Sequence, residues 1–360
     1  MSTPSRRAFW LRCSPEEQPL VETLLAAQGY TFEPEPFAAA ARRLTCEPRA
    51  LGSSLAAFFG LLYIQDRSSM LPPVVLAPAP GAAVLDLCAS PGGKTGLLAE
   101  RVGEAGFVLA NEPNRERLAT LRQNLRQLNL LQVATCGYEG QRLPLPDAAF
   151  QAILLDPPCS GWGTADKHPQ VLRLWKDGNV APLVDLQRRL LAEASRLLAP
   201  GGRLVYSTCT TNQRENEDQV IWARETLGLD LETAPAVPGF AFAPASRVEA
   251  EGVLRVDPAR AEGQGFFIAR LAKPVSETMR QVAADMVEAQ GSLEGRTRGQ
   301  APGARPRSGK VSFDGLSGEP VGPEVLGPCR ALPPGALGRF GETLFFLPEP
   351  TRDLPPELRW

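Results

Sequence analysis

One histidine, His168, is all this 360-residue chain carries. That scarcity excludes a histidine-rich metal site and leaves any serine triad a single candidate base. An excess of one charge is missing too. Against 40 Asp and Glu stand 38 Lys and Arg, a net charge of −2, so no global basic field draws nucleic acid to it. No apolar run approaches the ~18 residues that a bilayer span needs. Arg6, Arg7, Arg12, Glu16 and Glu17 break up the N-terminal stretch, so no signal peptide is expected. Cys13, Cys46, Cys88, Cys136, Cys159, Cys209 and Cys329 contain no C-x-x-C or C-x-x-H pair, which removes zinc spacing, and no metal is expected. Their odd count and irregular spacing also argue against a secreted disulfide framework. The thiols are expected to be free, in a reducing cytoplasm.

What is present is ample for folding. Hydrophobic residues make up 43% of the chain, and Gly (33) and Pro (35), though plentiful, fall short of a low-complexity composition. At ~150 residues per domain the length suits about two domains. Residues 1–75 are electrically neutral, with seven Arg against seven Asp or Glu. Two helices are predicted there, over Glu16–Ala27, with Leu20, Val21, Leu24 and Leu25 on one face, and over Pro36–Leu44. From Ala82 strands and helices alternate. Strands are predicted at Ala83–Leu87, Gly106–Asn111, Leu131–Thr135, Phe150–Leu155, Arg203–Ser207 and Phe266–Leu271. A helix from N-cap Asn114 to Leu128 carries Leu118, Leu121, Leu125 and Leu128 on one stripe, and another follows Pro182 with Leu183, Leu186, Leu190, Leu191 and Leu197. This order implies an α/β fold with a parallel sheet covered on both faces. Beyond Lys273 the pattern weakens. Residues 291–310, with five positive charges and one negative, read as a flexible basic linker, and Gly338–Pro348 as one more strand.

Asp86-Leu87-Cys88-Ala89-Ser90-Pro91-Gly92-Gly93-Lys94-Thr95 lies between the first strand of this series and a helix. Glycines at a helix N-terminus let a ligand approach the main chain, and the free amides attract it. A phosphate-binding ATPase loop needs glycine where Cys88 stands, and G-x-G-x-x-G is absent as well. Glu112 follows Asp86 by 26 residues, at the end of the second strand, where a carboxylate can accept both ribose hydroxyls. Glu139, past the third strand, is placed to reach an adenine. An adenosyl ligand without a triphosphate fits this set, and S-adenosylmethionine is the candidate.

The fourth and fifth strands end in Asp156-Pro157-Pro158-Cys159-Ser160-Gly161 and Tyr206-Ser207-Thr208-Cys209-Thr210. In a parallel sheet both thiols reach the carboxyl edge, beside the nucleoside site. Two thiols there suit methylation at carbon 5 of cytosine. A thiolate added at carbon 6 makes carbon 5 nucleophilic, and a second group then removes the carbon-5 proton so that the first can leave. Asp156, protonated, could donate to the ring nitrogen where charge builds. Spacing alone does not say which thiol attacks.

From about Leu62 to Leu271 the chain resembles the Nol/Nop/Sun RNA cytosine-C5 methyltransferases. The resemblance runs through Tyr63-Ile64-Gln65-Asp66-Arg67-Ser68-Ser69-Met70, Asp86–Thr95, Asn111-Glu112, Asp156–Gly161, Gln187 with Leu190 and Leu191, Gly201-Gly202 and Tyr206–Thr210. It implies a Rossmann-like SAM-dependent fold with Cys209 as nucleophile and Cys159 assisting release. Lys94 would orient Asp156, and Lys167 would lie near the substrate. Cys88, Ala89, Ser90, Pro91, Gly92, Gly93 and Lys94, with Glu112, Arg117, Glu139 and Asp156, would line the S-adenosylmethionine and base pockets. Glu139 stands where the family usually has aspartate, and Ser90 where it usually has alanine. Gly341–Pro348 is similar to the start of a C-terminal extension in the bacterial ribosomal-RNA branch.

The organisation so implied is a small α+β N-terminal RNA-binding cap at 1–75, a catalytic domain at 76–273, a linker at 274–322 and a partial C-terminal RNA-binding domain at 323–360. The partner is RNA, ribosomal rather than transfer, bound by a monomer without a membrane. Trp162 and Trp175 could stack on extruded bases. Two other readings remain. One is an amino-methyltransferase, since Asp156-Pro157-Pro158 is similar to a D-P-P loop, although Cys159 takes the aromatic position. The other is a non-catalytic assembly factor that keeps the fold.

Overall fold

The structure, a computed structural model, describes residues 7–165, 170–174, 179–261 and 263–275, and three strands within 319–348. Lys167, His168, Trp175, the 291–310 segment and Cys329 lie outside the described residues.

The N-terminal unit is a four-stranded antiparallel sheet in the order β2-β3-β1-β4. Its strands are β1 (Ala8–Leu11), β2 (Thr31–Pro34), β3 (Ala41–Cys46) and β4 (Leu62–Gln65), with helix α1 (Gln18–Ala27) and the short α2 (Leu55–Phe58). Phe9, Leu11, Leu25, Tyr30, Leu44 and Leu51 form its core. The helix expected over Pro36–Leu44 is not there. The chain turns at Glu35–Ala41 and enters β3, which pairs with β1 on one side and β2 on the other. Two ladders of backbone hydrogen bonds outweigh the helix propensity of four consecutive alanines.

Helix α3 (Leu71–Leu76) leads into the main sheet. Its parallel strands are β5 (Ala83–Asp86), β6 (Phe107–Asn111), β7 (Val133–Cys136), β8 (Phe150–Leu155) and β9 (Leu198–Thr208), in the spatial order β7-β6-β5-β8-β9. Antiparallel strands close one side: β13 (Phe266–Ala272) pairs with β9, and β10 (Asp230–Glu232) and β12 (Leu254–Val256) with β13. β11 (Phe242–Ala243) adds to β12. The central strands β6 and β8 are buried except at Gln151, which is why they read as apolar runs and not as alternation.

Helices α4 (Gly93–Val102) and α5 (Arg115–Gln127) belong to one face with α3, and α7 (Ala181–Leu197) and α8 (Glu217–Leu227) to the other. A four-residue helix, α6 (Val171–Leu174), precedes α7. Asn114 caps α5 as expected, its Oδ1 accepting from the amides of Glu116 and Arg117 at 3.0 Å each. On α7, Leu183, Leu190, Leu191 and Leu197 are buried, while Leu186 turns toward a surface cavity. Glu319–Pro320 (β14), Gly335–Phe340 (β15) and Thr343–Pro348 (β16) form a separate antiparallel sheet. The single strand expected over Gly338–Pro348 is thus a hairpin, with Phe340 opposite Thr343.

The parallel order reverses between β5 and β8. Ligands of doubly wound sheets bind at such a switch point, outside the carboxyl ends of the strands. The two segments that leave there begin at Leu87 and Asp156.

Candidate active site

The loop after β5 is held from below and from both sides. Asp86 is fully buried and its Oδ2 accepts from Thr95 Oγ1 at 2.7 Å. Gly92 has φ +110°, and a Cβ there would stand 2.9 Å from Leu121 of α5. A Cβ on Gly93 would stand 2.7 Å from the Tyr63 ring and 2.9 Å from Gln65 Oε1, both on β4. The two glycines therefore let the loop pass between α5 and the N-terminal unit, a job any side chain would obstruct.

Beside it, buried Asn111 joins three strand ends. Its Nδ2 donates to the carbonyls of Leu87 (3.3 Å) and Tyr138 (2.9 Å), and its Oδ1 accepts from the Tyr138 amide (3.0 Å). This fixes Glu112, whose Oε1 accepts from the Asn114 amide at 3.0 Å and whose Oε2 pairs with Arg117 at 3.2 Å. Arg117 also reaches the Ser90 carbonyl at 3.4 Å, strapping the loop to α5. Glu112, Glu139, Arg117, Leu87, Cys88, Leu186 and Leu190 line one cavity. Two carboxylates and apolar walls suit the donors of a neutral nucleoside and repel a phosphate.

A second cavity, of about 250 Å³, meets the first at Cys88. Cys88, Ala89, Ser90, Pro91, Gly93, Lys94 and Asp156 wall it from the catalytic side, and Tyr63, Gln65, Asp66 and Ser69 from the N-terminal side. The expected cofactor-binding residues other than Gly92 thus line two cavities that share Cys88, while Cys159 and Cys209 line neither. Gly92 lines neither: it is buried and shapes the loop. Trp162 is half-buried, its indole N–H without a partner.

Asp156 and Cys159 leave β8, and Cys209 leaves β9. Pairing of Leu155 with Tyr206 sets Asp156 beside Ser207, whose hydroxyl donates to Oδ1 at 2.8 Å. Lys94 donates to Oδ2 at 2.8 Å, so the carboxylate sits between a cation and a hydroxyl. Burial pulls the Lys94 ammonium down, but its ion pair and hydrogen bond with Asp156, helped by Asp86, raise it overall.

The two thiols stand 3.4 Å apart. Cys209 is lowered from the ordinary thiol range because Cys159 hydrogen-bonds to its sulfur, with Lys94 adding to the effect against burial and Asp156. Cys159 is raised well above that range by the same hydrogen bond and by burial. Cys13, Cys88 and Cys136 go up as well, all through burial first. A thiolate is the nucleophilic form, and the direction of these shifts favours Cys209 over Cys159 as the ionised partner.

Known proteins resemble this chain in sequence and fold. The sequence profile described as "16S rRNA methyltransferase RsmB/F" matches residues 73–272, more than half of the chain. The chain belongs to the RsmB/F family. Proteins named ribosomal RNA small subunit methyltransferase F are 39% identical over 258 residues in Salmonella paratyphi A and 35% identical over 258 residues in Shewanella loihica. Those matches take in 69% and 70% of this chain, which spans about half (53%) of each relative's length. A solved methyltransferase homologue from Pyrococcus horikoshii is 34% identical, with a TM-score of 0.65 over 76% of this chain and 87% of that one. An NSun6 structure from the same organism shares the fold at 21% identity and a TM-score of 0.66, covering 76% of this chain and 92% of that chain.

The RsmB/F site also holds groups that sequence reasoning gave no role. Ser207 is a partner of Asp156, and Gly163 lies against the Cys209 backbone, its amide donating to the Cys209 carbonyl at 3.0 Å. Glu215 and Asn216, both buried, gather the two cysteine segments. Nothing in the sequence marks the latter two except acidic and amide side chains six and seven residues past a cysteine.

Proposed function

We propose that this chain transfers a methyl group from S-adenosylmethionine to carbon 5 of a cytosine in RNA, through a covalent bond from Cys209 to the base. The observation that carries the reading is the thiol pair, 3.4 Å apart, at the ends of β8 and β9. Small-subunit ribosomal RNA is the substrate class, by the names of the relatives. The enzyme is read as a cytoplasmic monomer, with residues 1–75 as a cap over the RNA and 323–360 as part of a second RNA-binding domain.

The cavities fit the donor. Glu112 and Glu139 offer acceptors to ribose hydroxyls and an adenine amine, and the 88–94 loop borders both the nucleoside cavity and the cavity beside Asp156. S-adenosylmethionine supplies an electrophilic methyl group on a sulfonium when bound. Everything else falls to the protein. Cys209 thiolate forms a bond to carbon 6, and the displaced electron pair makes carbon 5 nucleophilic and places negative charge on the ring nitrogen. Lys94, whose ammonium donates to Asp156, supplies positive charge against it. Once the Cys209 sulfur is bonded to carbon, Cys159 loses the acceptor that held its proton, and its thiol ionises more readily. Carbon 5 would take the methyl group while the sulfonium sulfur keeps the bonding pair as a neutral thioether; the Cys159 thiolate then takes the carbon-5 proton, the ring double bond re-forms, and the carbon–sulfur bond to Cys209 breaks to return it as thiolate. An amino-methyltransferase would leave Cys209 without a task.

The test is transfer of labelled methyl from S-adenosylmethionine to cellular RNA, followed by nucleoside analysis. Label in 5-methylcytidine, lost with Cys209→Ala, is expected. Label in a methylated amine that survives Cys209→Ala would overturn the reading.

A further inference from the structure

Each thiol is followed by a hydroxyl residue, Ser160 after Cys159 and Thr210 after Cys209, and their oxygens are 2.7 Å apart. Ser160 Oγ also lies 2.5 Å from Glu215 Oε1, and the Ser160 amide donates to Oε2 at 2.9 Å. Gln187 donates to the same Oε2 at 3.1 Å and to the Pro158 carbonyl at 3.0 Å. Ser160 Oγ thus sits between the Thr210 hydroxyl and the Glu215 carboxyl, in one continuous hydrogen-bonded chain.

The other strand end is tied to the same place. Tyr206 donates to the Glu215 carbonyl at 2.6 Å. Asn216 accepts from Thr208 Oγ1 at 2.6 Å and donates to the Thr210 carbonyl at 2.9 Å. Glu215 is fully buried and has no cationic partner among the described residues. Burying a carboxylate without a cation is costly, and apolar residues of similar volume would serve packing alone as well or better.

We infer that Glu215, acting through the hydroxyls of Ser160 and Thr210, is a positioning residue that sets the separation of the two thiols and thereby the release half of the reaction. The inference rests on the two-thiol reading for its role in turnover, but the clamp itself is a property of the unliganded protein. Without it the Pro158–Gly161 loop and the end of β9 are no longer held in a common register. Cys159 then hydrogen-bonds Cys209 less well, and it meets the carbon-5 proton less often.

The full chain is tested as Thr210→Val, Ser160→Ala and Glu215→Gln, with Thr210→Ser as the variant that keeps the hydroxyl. In the free protein, the pH dependence of iodoacetamide alkylation at Cys209 is followed by peptide mass spectrometry. The clamp predicts that the midpoint moves up by about one pH unit in Thr210→Val, where the Cys159 hydrogen bond is weakened, and returns in Thr210→Ser. With RNA and S-adenosylmethionine, the ratio of covalent adduct to 5-methylcytidine should rise about tenfold or more in Thr210→Val and Ser160→Ala. An unchanged alkylation midpoint in folded Thr210→Val and Glu215→Gln overturns the inference, as does lost methylation with no adduct build-up. If Cys209→Ala remained active the two-thiol reading would fall, and the alkylation midpoint would still decide the clamp.

Discussion

Asp86 and Lys94 show how much of this site is electrostatic. Asp86 has one oxygen bonded to Thr95 and the other, Oδ1, buried with no partner. Burial, opposed by the Thr95 bond and by Lys94, pushes its carboxyl up to about 7. An unfolded aspartate titrates at ~3.9, so the folded chain keeps this proton over a range where the unfolded chain has released it. The favourable contribution is complete below the unfolded value and is lost as pH rises through about 7. Asp86→Asn removes the titration. Urea unfolding of both proteins from acid to neutral pH should show wild type losing ~1.4 kcal/mol per pH unit relative to the variant across that window, and nothing further above it. Lys94→Met should raise the alkylation midpoint of Cys209, since Lys94 is the cation that favours its thiolate. At this scale the sequence showed which residues meet but not their order of action. Cys159 and Cys209 look alike until Lys94, in the first turn of α4, is placed beside one of them.

At the scale of elements the parallel strands and long helices were legible because burial leaves a periodic or continuous apolar trace. Asn114 was readable as a cap because its function is local. Asn114→Ala should cost ~1 kcal/mol in denaturant unfolding and leave methyl transfer unchanged within error. The elements that escaped notice are short and owe their form to distant partners. β1 is four residues, Ala8–Leu11, all buried, with no alternation to detect. β3 was hidden by helix-forming alanines, and β10, β11 and β12 span only two or three residues each at the sheet edge. The turn at Trp162–Thr164 belongs with these. A Cβ on Gly163 would stand 2.2 Å from the Gly265 carbonyl oxygen and 2.8 Å from that of Cys209, and backbone cannot give way as a side chain can. Gly163→Ala should therefore displace the Cys159 loop and lower kcat by about 10- to 100-fold, with KM for S-adenosylmethionine little changed. Steady-state kinetics at varied cofactor separates the two parameters.

Across the whole molecule, the N-terminal unit is tied to the main sheet and its helices by an ion pair from Arg12 to Glu100 at 2.8 Å, by Gln127 donating to the Ala57 carbonyl at 2.7 Å, and by the buried guanidinium of Arg67. Arg67 makes a bidentate pair with Glu35, Nε to Oε1 at 2.8 Å and Nη2 to Oε2 at 2.6 Å. It donates to the carbonyls of Ala261 and Gly239 as well, and lies 4.4 Å from the centre of the Phe240 ring. Truncating one partner of a buried pair leaves the other charge uncompensated, so Arg67→Ala should lower unfolding free energy by ~3–5 kcal/mol. Arg43→Ala, which breaks an exposed pair with Glu33, should cost under ~1 kcal/mol. The contrast matters for function, because β4 and the turn after it wall the cavity beside Lys94 and Asp156. Sequence signalled that wall only through its likeness to a family motif, since Arg67 and Glu35 meet groups near 239 and 261 that no local pattern connects.

The central claim is that Cys209 attacks the base and Cys159 frees it. The most direct measurement is to incubate Cys159→Ala with RNA and S-adenosylmethionine, isolate protein resistant to denaturing separation from RNA, and map the linked peptide by mass spectrometry. The account predicts a stable adduct on Cys209, absent from Cys209→Ala and scarce in wild type. Free RNA carrying 5-methylcytidine at the wild-type rate, or an adduct on any other residue, would contradict it.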